Sequence, residues 1–152
     1  LLVALVTAPM IVPLFPYSEV EFIRAEAEWK AGNNTGAKTA YEKAVKAAME
    51  QWTVTMPADY FTNTFAAYNG TLERILLQKY YSQVFVDYQQ WFEYRRTGFP
   101  TLPVAAGMLN NGVMPSRFMY PISVKVSNPD KYNEAVTGMG GDNINVKVWW
   151  EK

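Results

Sequence analysis

Cysteine and histidine are both absent from this chain of 152 residues. Disulfides, thiolate nucleophiles, Cys/His zinc sites and Ser-His-Asp triads are therefore excluded. Net charge is absent as well, because fourteen basic residues meet fourteen acidic ones. With no basic surplus, nothing draws the chain to nucleic acid or to an anionic membrane surface. A long apolar run is the third absence. The opening stretch ends at Phe15 and is broken by Pro9 and Pro13, whereas a spanning helix needs about 20 apolar residues. No basic residue precedes that stretch, so it does not read as a signal peptide. Residues 1–17 are expected to form an extended or irregular packing segment. A natural chain seldom opens Leu1-Leu2-Val3 without methionine, so the expectation is a C-terminal fragment with any targeting signal upstream.

What remains is an inventory of carboxylates, hydroxyls, amides, lysines and rings, with 15% of the residues aromatic. Such groups hold neutral polar ligands well and offer few routes to covalent catalysis. Ser18 and Glu21 read as an S-x-x-E capping box, which predicts a helix from Ser18. Val20, Ile23 and Ala27 form one apolar stripe on it, and Phe22, Ala25 and Trp29 a second. Gly32-Asn33-Asn34 tolerates left-handed backbone and ends it. A second helix starts near Thr35, with Ala37, Ala40, Tyr41, Ala44, Val45, Ala48, Met49 and Trp52 in continuous helical spacing. The small alanines let the two helices approach closely, so 18–52 reads as an antiparallel hairpin. The spacing Ala25, Glu26, Gly32, Ala37, Tyr41, Glu42, Ala44 looks like one tetratricopeptide-type pair. No second copy follows at that period, and one pair cannot bury its face alone.

Residues 53–70 read as a long ordered loop with a short helical turn, since its four aromatics argue against disorder. Thr71 caps a third helix from Leu72. Asp87 and Gln90 resemble a further capping box for a fourth helix, although one continuous helix over 71–96 remains open. Thr97-Gly98-Phe99-Pro100 stops it. Residues 97–143 are expected to be loops with an extended piece at 118–126, and the alternation over 144–150 fits either a short edge strand or extended chain packed on the helices. The fold class is therefore mainly α, with long irregular C-terminal loops and little strand.

Carboxylates are the first candidates for chemistry, since a glycosidase needs only two. The glutamates of the first hairpin are assigned to solvated faces or to i,i+4 pairs such as Glu42–Lys46. Glu73 and Glu93 lie close in sequence to Arg74, Arg95 and Arg96, which neutralise them. Gly138–Asn143 lacks the G-K-[ST] of a phosphate loop. Asp142, Asn143 and Asn145 do not follow EF-hand spacing, so a plain turn is preferred over a calcium site. The aromatics are the remaining signal. A flat ring buries the C–H face of a sugar while amides or charged groups bond its hydroxyls. Most rings sit at core spacing, which leaves the loop residues Tyr60, Phe61, Phe65 and Tyr68 as candidate ligand contacts.

Several segments then converge in order: Tyr17–Trp29, Ala40–Val45, Leu76–Tyr80, W-F-E-Y-R-R-T-G-F-P over Trp91–Pro100, P-S-R-F-M-Y-P over Pro115–Pro121, and K-V-W-W at Lys147–Trp150. In this combination the chain resembles the C-terminal part of SusD/RagB-type proteins, from about residue 9 onwards. The resemblance implies one helical domain built on tetratricopeptide-like pairs, of which 1–152 is the C-terminal part. It implies a non-catalytic protein without cofactors, anchored to the outer membrane of Bacteroidetes as a lipoprotein through an upstream lipid anchor. Its partners would be an oligosaccharide or other nutrient and a SusC-like TonB-dependent transporter. Trp91, Arg95, Arg96 and Arg117 fall in matched scaffold motifs and would tie helices to the C-terminal loops. The family's glycan contacts lie in variable loops and transfer to no numbered position. A helical-repeat scaffold that grips a protein or peptide and a carboxylate glycosidase are the rival readings.

Overall fold

A computed structural model describes residues 12–151. The chain divides into two compact units, Leu1–Thr101 and Leu102–Lys152. Among the described residues there are six α-helices, three short 3₁₀ turns and no strand, as the mainly α reading requires.

In the first unit, α1 (Tyr17–Lys30) packs along α2 (Asn34–Gln51), and α3 (Leu72–Ser82) packs on both. Alanines decide how close the pair comes. Ala25, Ala40 and Ala44 are fully buried with Phe22, Tyr41, Val45 and Ile75 in one cluster. Gly32, at φ +78°, carries the tight turn between the helices. Asn33 then accepts from the Gly36 amide at 3.0 Å and caps α2, satisfying one of the orphan N–H groups of its first turn.

The start of α1 differs from expectation. Pro16 occupies the cap position, which places Ser18 and Glu21 inside the helix. Their capping box does not form: Ser18 Oγ has no hydrogen-bond partner among the described residues, and Glu21 accepts from the Tyr17 hydroxyl at 2.6 Å instead. The burial of α1 is also rotated from the sequence reading. Glu19, Glu21 and Glu26 are buried, while Val20 and Ile23 are exposed. The stripe of Phe22, Ala25 and Trp29 faces the core as expected, while Arg96 on a later helix pairs with Glu26 and Lys79 acts on Glu19. On α2, Glu42 pairs with Lys38 at 3.7 Å, and Lys46 with Glu50, so the expected Glu42–Lys46 pair does not form.

The 53–70 loop contains a 3₁₀ turn at Tyr60–Thr62 and is clamped rather than loose. The buried Tyr41 hydroxyl donates to the Ala66 carbonyl, the Trp29 indole to Gly70 at 2.8 Å, and Arg74 to the carbonyls of Thr64 and Phe65. Thr71 accepts from the Arg74 amide and caps α3 as expected. Helices three and four are separate. Phe85 and Asp87 lie at φ 62° and 41°, a left-handed geometry that ends helical propagation. The fourth helix, α4 (Gln89–Thr97), begins after Tyr88 without a side-chain cap, so Asp87 and Gln90 form no capping box. Gly98, at φ +75°, ends it.

The second unit corrects the loop expectation. Residues 122–126 are helical rather than extended: α5 (Ile122–Ser127) and α6 (Pro129–Met139) pack together. Asn128 caps α6, with Pro129 in its first turn, a helix-start signal in which proline's missing N–H is harmless. No strand forms at 144–150. Ile144 instead accepts backbone bonds from Ser116 and Arg117, and Trp149–Glu151 turns into a 3₁₀ segment.

Replacing Tyr41 by Phe removes the donor to Ala66 and leaves that carbonyl unpaired. A loss of about 1–3 kcal/mol is expected, read as a lower urea midpoint with an unchanged slope.

Candidate functional site

The four loop aromatics occupy different environments. Tyr60, Phe61 and Tyr68 are half-buried against the core of the first unit. Tyr60 meets Phe61 edge-on at 5.5 Å, and Tyr68 packs on Tyr41 at 5.6 Å with its hydroxyl towards Asn34. Phe65 is 82% exposed while its backbone is held by Arg74 and Asn63. Of the four, only Phe65 offers a whole ring to solvent on a fixed support.

Tyr60 also lines a cavity of about 210 Å³ with Phe22, Met49, Trp52, Tyr81 and Phe85 among its walls. Trp52 and Phe85 meet edge-on at 6.1 Å. Polar groups are few there and already engaged: Tyr60 donates to Gln78 at 3.1 Å, and Ser82 to the Lys79 carbonyl at 2.7 Å. A hydroxylated ligand seated wholly inside would lose hydrogen bonds to water without replacing them, at about 1–3 kcal/mol per group. The Trp52–Phe85 wall escaped the sequence reading because it depends on a left-handed residue that no periodicity signals.

A second cleft lies between α1, α3 and α4 and measures about 370 Å³. One stripe of α1 supplies Glu19, Ile23, Glu26, Ala27 and Lys30; α3 adds Lys79, and α4 adds Glu93 and Arg96. Arg96 grips both Glu26 oxygens, at 2.8 and 2.7 Å, and also binds Glu93 at 3.1 and 2.9 Å. Lys30 reaches Glu26 at 2.7 Å, and Lys79, only 3% exposed, reaches Glu93 at 3.1 Å. The Arg96 hydrogen bonds, assisted by Lys30, outweigh burial and hold the Glu26 carboxyl down at about 2. Burial opposes the charge of Glu93, but Arg96 and Lys79 keep its carboxyl below the ordinary range. Glu19 differs: burial pushes its carboxyl up, with Lys79 acting against that. Its Oε1 accepts from Gln83 at 3.3 Å, and its buried Oε2 has no hydrogen-bond partner among the described residues. Glu26 and Glu93 carry opposed roles in no obvious acid–base pair, since both are tied to the same guanidinium.

The scaffold residues act within their own units. Arg95 lies over the Trp91 ring at 4.5 Å within α4. Arg96 ties α4 to α1, as above. Arg117 pairs with Asp142 at 2.8 Å and lies over Tyr120 at 5.0 Å. Asp142 also accepts from the Tyr120 amide and the Tyr132 hydroxyl, so its oxygens brace the second unit. Among the described residues, no group of three or more acids or other ligating side chains is placed to hold a metal. None of the described helices is long and apolar enough to cross a membrane.

Comparison with known proteins decides the family. Residues 2–121 match the SusD-like model described as starch-binding and associating with the outer membrane. The chain belongs to the SusD-like family. Solved structures agree with this SusD-like assignment. A SusD homologue from Bacteroides fragilis is 30% identical, with a TM-score of 0.70 over 90% of this chain and 34% of that one. A SusD-like protein from Bacteroidetes is 28% identical, with a TM-score of 0.76 over 90% of this chain and 30% of that one. A protein described as chitin-binding is 28% identical, with a TM-score of 0.70 over 89% of this chain and 32% of that one. The SusD-like chain thus spans about a third of the length of these relatives. No curated relative matches it.

The charge cluster predicts an acid response. The folded state holds the Glu26 pKa near 2 against an ordinary 4.5, so the unfolded chain takes up the proton first. The pair's stabilisation is therefore full above about pH 5 and fades as pH falls towards 2, with Glu93 acting in the same direction. Urea unfolding at pH 7, 5 and 3 checks this, and Glu26→Gln should flatten the acid limb. Arg96→Met should cost about 2 kcal/mol at pH 7, below the range for fully buried pairs because the guanidinium is partly solvated.

Proposed function

We propose that this SusD-like chain serves in the capture of glycans or related nutrients at the cell surface, without altering them. The family match over residues 2–121 carries this reading, and the structural likeness to a chitin-binding protein supports it. The chemistry available is of the same kind. There is no net charge, cysteine or histidine, and the carboxylates nearest one another are neutralised by Arg96 and Lys79. Binding then rests on ring stacking and hydrogen bonds. Among the loop aromatics, Phe65 is the stacking platform, and Tyr60, Phe61 and Tyr68 hold the surface that presents it. The whole protein, in this reading, is a lipid-anchored outer-membrane component that delivers its ligand to a SusC-like TonB-dependent transporter. The family's outer-membrane association supports that placement.

Calorimetry or affinity electrophoresis of the full-length protein against soluble maltooligosaccharides and chitooligosaccharides tests the capture role. Phe65→Ala should weaken binding about tenfold, as expected for one lost stacking contact, with little change in melting temperature. Tyr68→Ala should instead lower the melting temperature. Release of shortened products from any glycan would overturn the non-catalytic reading. Co-purification with a large β-barrel from native membranes is the expected sign of the transporter partnership.

A further inference from the structure

Glu19 takes no part in the Arg96 pairings, yet it is only 5% exposed. Gln83, the residue that closes α3, is fully buried beside it. One hydrogen bond joins the two side chains, from Gln83 Nε2 to Glu19 Oε1 at 3.3 Å. The other oxygen of each group, Glu19 Oε2 and Gln83 Oε1, is buried and has no hydrogen-bond partner among the described residues. An ionised carboxyl only accepts, as an amide oxygen does, so neither atom can satisfy the other while Glu19 is charged. Two unpaired acceptors on side chains that already touch are unfavourable in a core.

One proton resolves both. Placed on Glu19 Oε2, it makes a carboxylic acid whose O–H donates while Oε1 still accepts from the amide. A primary amide and an unionised carboxyl are complementary in this way, with N–H to C=O on one side and O–H to O=C on the other. The surroundings favour the neutral form. Burial pushes the Glu19 carboxyl up; Lys79 on α3 acts against this and Glu93 on α4 acts with it. Lys79 and Glu93 are bound to each other at 3.1 Å, so their charges work on Glu19 in opposition.

We infer that folding holds Glu19 as an unionised acid whose Oε2 proton is donated to Gln83 Oε1, and that this acid–amide pair is a proton-dependent latch between α1 and the end of α3. The latch bears on the wall of the apolar cavity. Gln83 accepts from the Val86 amide at 3.1 Å, Val86 is buried, and Val84 and Phe85 between them line the cavity. An opened latch therefore loosens the turn that sets Phe85 against Trp52. The folded state holds the proton more tightly than the unfolded chain does. The latch is thus complete below the ordinary carboxyl value of 4.5 and is lost as pH rises through the higher folded value. The Glu26 contact has the reverse sense and weakens on acidification.

The test uses the full-length protein. Glu19→Gln places an amide N–H where the acid O–H stood, so it keeps both bonds at every pH. It should melt with the wild type at about pH 4 and above it at about pH 7, the gap opening in between. A difference in melting temperature that does not change over this range overturns the latch. Infrared difference spectra between wild type and Glu19→Gln read the proton itself, because only an unionised carboxyl gives an acid C=O band. That band should titrate with a midpoint above 4.5, and a midpoint at or below it overturns the proposal. Gln83→Leu removes the amide and keeps most of its bulk. The acid band should then shift or vanish. An unchanged band means that burial alone or a trapped water holds the proton, and it overturns the pairing with Gln83.

Discussion

Arg96 joins two helices that share little apolar surface. α4 carries none of the buried hydrophobic residues of the first unit, yet it is fixed to α1 by a fork that holds both oxygens of Glu26. A guanidinium meets a carboxylate in one planar, directional geometry, so the contact sets the rotation of α1 as well as the position of α4. The same helix turns Glu19, Glu21 and Glu26 inward and leaves Val20 and Ile23 outside. Buried ion pairs seldom add much stability compared with apolar packing. Here the pair places Arg96 of α4 against Glu26 of α1.

Once α1 is oriented, the rest of the first unit follows. Its inward stripe meets the alanines of α2, and the close approach brings Tyr41 to the loop carbonyl of Ala66. Trp29 and Arg74 then clamp the same loop from both sides. The loop is long but is tied down around Phe65, through the carbonyls of Thr64, Phe65, Ala66 and Gly70, which lets it present that ring without first ordering the chain that carries it. Preorganised contacts of this sort cost less entropy on binding.

The second unit is built differently. Among its described residues only Arg117 is buried, and it is the partner of Asp142. Around that hub the apolar side chains remain outside: Leu109, Ile122 and Trp149 are largely exposed. The solved relatives are about three times as long as this chain.

The sequence by itself determined the helices whose signals are local. Thr71 caps where a side-chain oxygen meets a free amide, Gly98 and Gly32 end helices where φ is positive, and the alanine spacing of α2 faces the core as its period requires; Asn33, read as part of the stop, proved to be the cap of α2. The family resemblance was legible too, because its motifs combine such local signals in order. Asn128-Pro129 carried a helix start that the surrounding glycines and asparagines outweighed. The inward face of α1 was decided only by the tertiary structure. Burying Glu19 and Glu26 is unfavourable until Lys79, more than fifty positions away, and Arg96, seventy from Glu26, are brought beside them. Phe85 and Trp52 became one wall, and Phe65 an open ring, for the same reason: long-range contacts set exposure, and helical periodicity records only which side chains share a face.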